Sequence, residues 1–317
     1  MSTVSSSLRT FLKTGAAAAA VALITLGGAV TGAQAKDRVI GLSLIDGPNP
    51  HCQMLEKGVR EVAAAEGDEV VVLDPGFDPV KQVQNVEDLI SRKVDGIVIE
   101  TVDGQALTSV LEDAKKAGIP VVANDQLVEA DELVISQTVS DNYQAGVLAG
   151  EEMIKRINGK GNVIILNFVG SAAKAREDGF REAIAKHPEI VVVGVADGNG
   201  LIEKANAATE NLMQANPEIH GVMGINDQSA IGARAAFEAA GRLNEVAIVA
   251  VDGSPQAMQF VKEGKMLATV KQDPYMLGKL STQDLYTHLN GGKVEKRLTY
   301  VPVTLVNAAN VDSFLSQ

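Results

Sequence analysis

The sequence predicts an α/β protein of two lobes, each a parallel sheet flanked by helices, joined by a hinge that the chain crosses three times. Three observations carry that expectation. Short apolar runs alternate with segments of helical period almost without a break from residue 38 onward. The rhythm is interrupted near residues 134–141 and then restarts as a second, similar series. A closing stretch, residues 271–306, holds one helical segment and one apolar run, enough to bring the chain back across. The 317 residues, 46% hydrophobic and 21% charged, suit one large or two moderate domains.

The first 35 residues are a different material. Arg9 and Lys13 give a basic start, residues 16–30 an apolar, alanine-rich core, and Ala33-Gln34-Ala35 a small-x-small cleavage pattern. These are the parts of an export signal cleaved near Ala35. The core is shorter than the roughly 20 residues a membrane span needs. No cysteine follows it for lipid attachment, so a free mature chain starting near Lys36 is expected. Losing Arg9 and Lys13 takes the formal charge from −12 to −14. So acidic a chain is a poor nucleic-acid binder, and no nucleic-acid partner is expected. Cys52 is the sole cysteine, which rules out an internal disulfide; an exported, core-stabilised chain points to a bacterial periplasm.

In chain order, the runs 39–45, 70–73, 96–99 and 120–123 are apolar without alternation, as strands buried on both faces are. Helices are expected between them at 52–66, 79–91 and 105–117, several with Gly or Pro at their ends. Right-handed crossovers stack such βα units into a parallel sheet with helices on both sides, a Rossmann-like lobe. A strand at 133–139 then leads into Ser140-Asp141-Asn142, a capping cluster for a helix at 143–157. The second series has strands at 163–167, 190–196, 221–225 and 246–251, and helices at 174–186, 202–215, 229–240 and 255–263. A strand at 267–270, a helix at 275–289 and one last strand at 298–306 follow. The lobes are therefore expected at 36–139 plus 273–301 and at 140–272 plus 302–317, with closure as the motion between them.

In open parallel sheets ligands bind beyond the carboxyl ends of the strands, where loops diverge and helix N-termini point inward. The residues expected there are Asn49, Glu100, Asp125, Gln126, Asn226, Asp252 and, at a crossing, Gln272, with Arg176 entering from a loop-helix. Amides that donate and accept, beside carboxylates that only accept, suit a neutral polyhydroxylated ligand. Catalysis finds less support. His187 and His288 fall near helix ends, and no nucleophile stands beside a plausible base. His51 and Cys52 are neighbours, whose side chains ordinarily point apart, and no second pair follows at metal-ligand spacing. Gly198-Asn199-Gly200 begins like a phosphate loop, but Glu203 occupies the third glycine position. No enzyme, metal or cofactor is expected. Two readings stay open locally: Cys52 as ligand contact or small core residue, and Glu100 as ligand contact or cap of the helix near residue 105.

Taken together, these marks resemble the periplasmic sugar-binding proteins of the ribose and galactose type, which feed ABC importers. They are the export signal, Asn49-Pro50 after the first strand, Val94-Asp95-Gly96, Ile119-Pro120-Val121-Val122 leading to Asp125, Ser140-Asp141-Asn142, the 176–180 segment, Ile225-Asn226-Asp227, Val251-Asp252-Gly253 and a closing strand through Pro302-Val303. Their order and spacing, rather than any single mark, carry the likeness along the whole mature chain. It implies the type I periplasmic binding protein fold, a monomer, a membrane ABC permease as partner, and a chemoreceptor or sensor kinase as the alternative reader of the closed form. It also implies that Asn49, Asp125, Arg176, Asn226, Asp252 and Gln272 bind the hydroxyls of a small neutral sugar or polyol. Where the family places two aromatics this chain has His51 and Cys52, and where it has an arginine this chain has Gln126. A third aromatic is missing near Gly198 and Asn199. Loss of aromatic faces removes a reason to prefer a flat ring. The ligand's identity is therefore expected to be set by His51, Cys52, Glu100 and Gln126, with a small or acyclic polyol as one outcome.

Overall fold

A computed structural model describes residues 37–316; the expected export signal lies outside them. Two six-stranded sheets organise the chain. The first is built from β1 (Val39–Ser43), β2 (Glu69–Leu73), β3 (Gly96–Glu100), β4 (Val121–Asn124), β5 (Gln137–Ser140) and β11 (Leu298–Val301), in the order β11-β5-β4-β3-β1-β2 and parallel throughout. The second is built from β6 (Gly161–Asn167), β7 (Ile190–Asp197), β8 (Gly221–Gly224), β9 (Ala247–Asp252), β10 (Ala268–Lys271) and β12 (Thr304–Asn307), in the order β12-β10-β9-β8-β6-β7. Its edge strand β12 runs antiparallel to β10, so this sheet is mixed where an all-parallel one was expected.

The helices α1 (Pro50–Glu66), α2 (Pro79–Ser91), α3 (Thr108–Ala117) and α9 (Pro274–Leu289) cover the first sheet. The second carries α4 (Asn142–Arg156), α5 (Ser171–Ala185), α6 (Ile202–Ala215), α7 (Asp227–Ala239), α8 (Pro255–Lys262) and a short α10 (Val311–Leu315) that the sequence pattern did not announce. Both faces of both sheets are buried: Leu42 and Val98 on one side and Ile97 and Ile99 on the other in the first, Ile164 and Ile248 against Ile165 and Val249 in the second. That explains the apolar runs without alternation.

Two expected strands are corrected. The run at 133–139 begins as a 3-10 turn, Asp131–Leu133; Ile135 and Ser136 already bond to β4, and the regular strand is Gln137–Ser140. The run at 298–306 is two strands, one in each sheet, broken at Pro302-Val303, because proline has no N–H to continue a ladder. The chain thus passes from the first sheet to the second between β5 and α4, returns between β10 and α9, and passes again between β11 and β12.

Glycine pairs set two helix contacts that matter for the cleft. At α1 and α9 a Cβ on Gly58 would lie 2.2 Å from the Tyr275 carbonyl oxygen, and one on Gly278 equally close to that of Leu55. At α4 and α5 a Cβ on Gly146 would lie 2.0 Å from the Arg176 carbonyl oxygen. Backbones can meet that closely only without side chains, and the second contact fixes the turn of α5 that carries Arg176. Among the described residues no helix is long and apolar enough to cross a membrane.

Candidate ligand-binding cleft

All ten residues expected at the site line one cavity at the carboxyl ends of the strands, about 450 Å³ of unfilled space with the solvent at its mouth included. Asn49, His51, Cys52, Glu100, Asp125 and Gln126 come from the first lobe, Arg176, Asn226 and Asp252 from the second, and Gln272 from the crossing.

In the first lobe, Asn49 caps α1, its Oδ1 accepting from the His51 amide at 3.0 Å, and Pro50 starts the helix with no N–H to leave unpaired. This tight first turn brings His51 and Cys52 into the same cavity, against the expectation that neighbours point apart. Glu100 ends β3, and its Oε2 accepts from the Ile45 amide at 3.0 Å. It caps no helix; Asp103 Oδ1 takes the Gln105 and Ala106 amides at 2.9 and 3.2 Å. Asp125 follows β4 in the left-handed region, φ 66°. Gln126 Nε2 donates to the carbonyls of Thr101 and Val102, which aims its Oε1 at the opposite lobe, where a Cβ on Gly170 would stand 1.7 Å from it. The Ser171 hydroxyl oxygen accepts from the Leu127 amide at 2.7 Å, a bond between the lobes.

In the second lobe, Arg176 is buried, its Nε donating to Asn142 Oδ1 at 2.8 Å and one terminal nitrogen to the Ile225 carbonyl at 2.9 Å. That nitrogen lies 3.6 Å from Asp252 Oδ1. Asn226 caps α7, accepting from the Ser229 amide and donating to the Gly200 carbonyl at 3.1 Å. Gln272 Nε2 donates to Asp252 Oδ1 at 2.8 Å, and the Asp227 amide donates to Oδ2 at 3.3 Å.

The charges are crowded. His51 Nε2 is 3.3 Å from Asp125 Oδ1 and 3.7 Å from Glu100 Oε1. Burial alone would lower its pKa, but Asp125, then Glu100 and Asp252, overcome burial and raise it to about 9. Burial pushes Glu100 up to about 7 although His51 pulls it down. Asp125, opposed by burial but pulled by His51 and Arg176, is held low. Burial raises Asp252 against the pull of Arg176 and His51. Burial and Glu100 raise the Cys52 thiol, so it stands in the cavity as a neutral group.

Three lining residues each present a buried side-chain acceptor with no hydrogen bond, Glu100 Oε1, Gln126 Oε1 and Gln272 Oε1, while Asp125 Oδ1 and His51 Nε2 face each other as an ion pair. Buried acceptors without hydrogen bonds cost about 1–3 kcal/mol each until a ligand supplies donors. The three atoms of His51, Glu100 and Asp125 lie within 4.8 Å of one another, a spacing a divalent cation could span and one the sequence did not suggest. An imidazolium between two carboxylates meets the same charge requirement, and the raised His51 favours that arrangement.

Four lining residues escaped sequence reasoning: Ile45, Phe77, Phe168 and Ala172. The two phenylalanines correct the expectation that the cavity lacks aromatic faces. Phe168 directly follows the end of β6, so the strand-end rule would have found it had it been applied to apolar residues as well as polar ones. Phe77, at φ 62°, lies in the β2–α2 turn and has no such signal.

Two α/β lobes joined by three crossings and closing on a polar cavity define a solute-binding receptor. The chain belongs to the periplasmic binding protein domain family, whose model matches residues 40–293. Among its relatives, the ribose import binding protein of Bacillus subtilis is 32% identical over 266 residues, covering 83% of this chain and 86% of that one. The D-apiose import binding protein of Paraburkholderia graminis is 30% identical over 305 residues, 94% of this chain and 96% of that one. An ABC transporter solute binding protein from Bacillus halodurans with bound myo-inositol superposes with a TM-score of 0.82 at 28% identity, covering 90% of this chain and 99% of that one.

Proposed function

We propose that the protein is an exported, non-catalytic receptor that binds a small neutral monosaccharide or polyol between two closing lobes and delivers it to an ABC importer. One observation carries this reading: the cavity holds three buried acceptors without hydrogen bonds, Glu100 Oε1, Gln126 Oε1 and Gln272 Oε1, with a fixed guanidinium and an imidazole among them. Hydroxyl groups answer that pattern, since each donates once and accepts twice. The relatives named for ribose and D-apiose import, and the neighbour holding myo-inositol, support the same chemistry. Phe77 and Phe168 supply apolar surface for the C–H face of a ring, which favours a cyclic ligand over an open chain. The lobes 36–139 plus 273–301 and 140–272 plus 302–317 are the bodies that close, with Leu127 and Ser171 meeting across the mouth.

Charge-assisted hydrogen bonds contribute about 1.5–3 kcal/mol each. Four or five of them, less the ordering and desolvation costs, reach the roughly 8 kcal/mol of a micromolar complex. A thermal-shift screen of the mature protein against pentoses, hexoses, tetritols, pentitols, hexitols and inositols tests the reading by mass action. At least one neutral compound should raise the melting temperature, and Asp252→Ala should erase that shift while remaining folded. A response confined to phosphorylated or amino compounds would overturn it.

A further inference from the structure

We propose that Asp227, which does not line the cavity, is the positioning residue that holds Asp252 in its ligand-binding geometry; this rests on the receptor reading above. Asp227 opens α7 and is 1% exposed. Its Oδ1 accepts from the Thr269 hydroxyl and its Oδ2 from the Ser254 amide, both at 2.6 Å. The Thr269 oxygen accepts in turn from the Gly253 amide at 3.1 Å, and the Asp227 amide donates to Asp252 Oδ2 at 3.3 Å. One side chain and its own amide thereby tie down three consecutive residues, 252–254, from a neighbouring strand end.

Those three residues need holding. Asp252 sits at φ 140° and Gly253 at φ 73°, both in the region that side chains avoid. The turn is pressed onto β10, where a Cβ on Gly253 would lie 2.6 Å from Lys271 Cα. Strained backbone of this kind persists only where its surroundings over-determine it. Removing the Asp227 carboxylate would strand the Ser254 amide and the Thr269 hydroxyl together and release the turn that aims Asp252 at Gln272 and Arg176. A second buried carboxyl so near Asp252 is itself unfavourable: burial, then Asp252, push Asp227 up to about 7. Its placement there is explained by the two donors it receives.

The test pairs Asp227→Ala with the milder Asp227→Asn, in which the amide oxygen can still accept from Ser254. D-ribose, D-allose, myo-inositol and glycerol serve as probes by titration calorimetry, well below the melting temperature of each variant. For any probe that the wild type binds, Asp227→Ala should weaken affinity about tenfold or more, or about 1.4 kcal/mol, with Asp227→Asn between it and wild type. A role confined to stability would lower the melting temperature and leave the affinity of the folded protein unchanged, which would overturn the proposal. Amide hydrogen exchange at Gly253 and Ser254 needs no ligand: both should be protected in the wild type and exchange faster in Asp227→Ala. Unprotected or unchanged amides would sink the role of Asp227 even if sugars bind. If none of the four probes binds the wild type, the neutral-sugar reading loses its support, and the exchange measurement decides on Asp227 alone.

Discussion

Raising the pH should destabilise the folded protein through His51, and His51→Gln should remove that part of the loss. The imidazole stands at about 9 in the fold against an ordinary 6.5, because Asp125, Glu100 and Asp252 overcome the opposing effect of burial. A group whose pKa is higher folded than unfolded holds its proton more tightly in the fold. Its contribution is therefore complete below 6.5 and is lost as the pH rises through about 9. At about 1.4 kcal/mol for each pH unit between those values, the loss is about 3 kcal/mol. Glu100 and Asp227, both raised to about 7 from ordinary values of 4.5 and 3.8, lose stability in the same direction at lower pH. Asp125, held low, contributes stability that disappears only when the pH falls below the carboxylate range. Comparing Glu100→Gln with the double variant His51→Gln/Glu100→Gln between about pH 6 and about pH 9 isolates the imidazole, since Glu100 can no longer shift when His51 is removed. Urea unfolding at each pH gives the free energies. The protein that keeps His51 should lose more than the one without it across that window, by up to about 3 kcal/mol. Losses equal within about 1 kcal/mol, or a relative gain at high pH by the protein that keeps His51, would refute a protonated His51 in the cleft.

Three further substitutions probe closure, packing and the guanidinium. Gly170→Ala should block closure, since its Cβ would meet Gln126 Oε1 at 1.7 Å and φ is 152°; affinity should fall by about two orders of magnitude, and small-angle scattering should show no compaction with sugar. Gly58→Ala should force α1 away from the Tyr275 carbonyl and cost about 1–3 kcal/mol in chemical denaturation, with the affinity of the folded protein retained. Arg176→Lys should lose the bonds to Asn142 and the Ile225 carbonyl together, because an ammonium has no fork to span them. Titration calorimetry should show affinity reduced about tenfold or more, and an unchanged value would remove Arg176 from the site.

The fold was legible because both sheets are buried on both faces, so strands such as Ile97–Ile99 and Val249–Val251 read as unbroken apolar runs between helical segments. The misread elements sit where tertiary pairing, not composition, decides. Leu133 is as apolar as a strand residue, yet it closes a 3-10 turn, and bonding to β4 starts only at Ile135. Residues 298–306 form one run in sequence and two strands in space, because Pro302 stands where the chain changes sheets. Local periodicity cannot report which sheet a strand joins.

The polar site was legible for a related reason. Asn49 and Asn226 each lie between a strand and the helix they cap, so the residue that ends one element and starts the next is also the residue facing the cleft. Capping consumes only the side-chain oxygen of each, which leaves the amide hydrogens of Asn49, and one of Asn226 beside its bond to the Gly200 carbonyl, for another acceptor. The caps also line the cavity, so a sequence reading that looks for caps finds its wall as well. Phe168 follows a strand end as the polar residues do, whereas nothing in the one-dimensional pattern distinguishes Phe77, or Asp227, which does not line the cavity, from ordinary turn and helix-start residues. What the sequence left open, Phe77 in the cavity wall and a carboxylate behind Asp252, is the part of the cleft made by contacts between distant segments rather than by the ends of single elements.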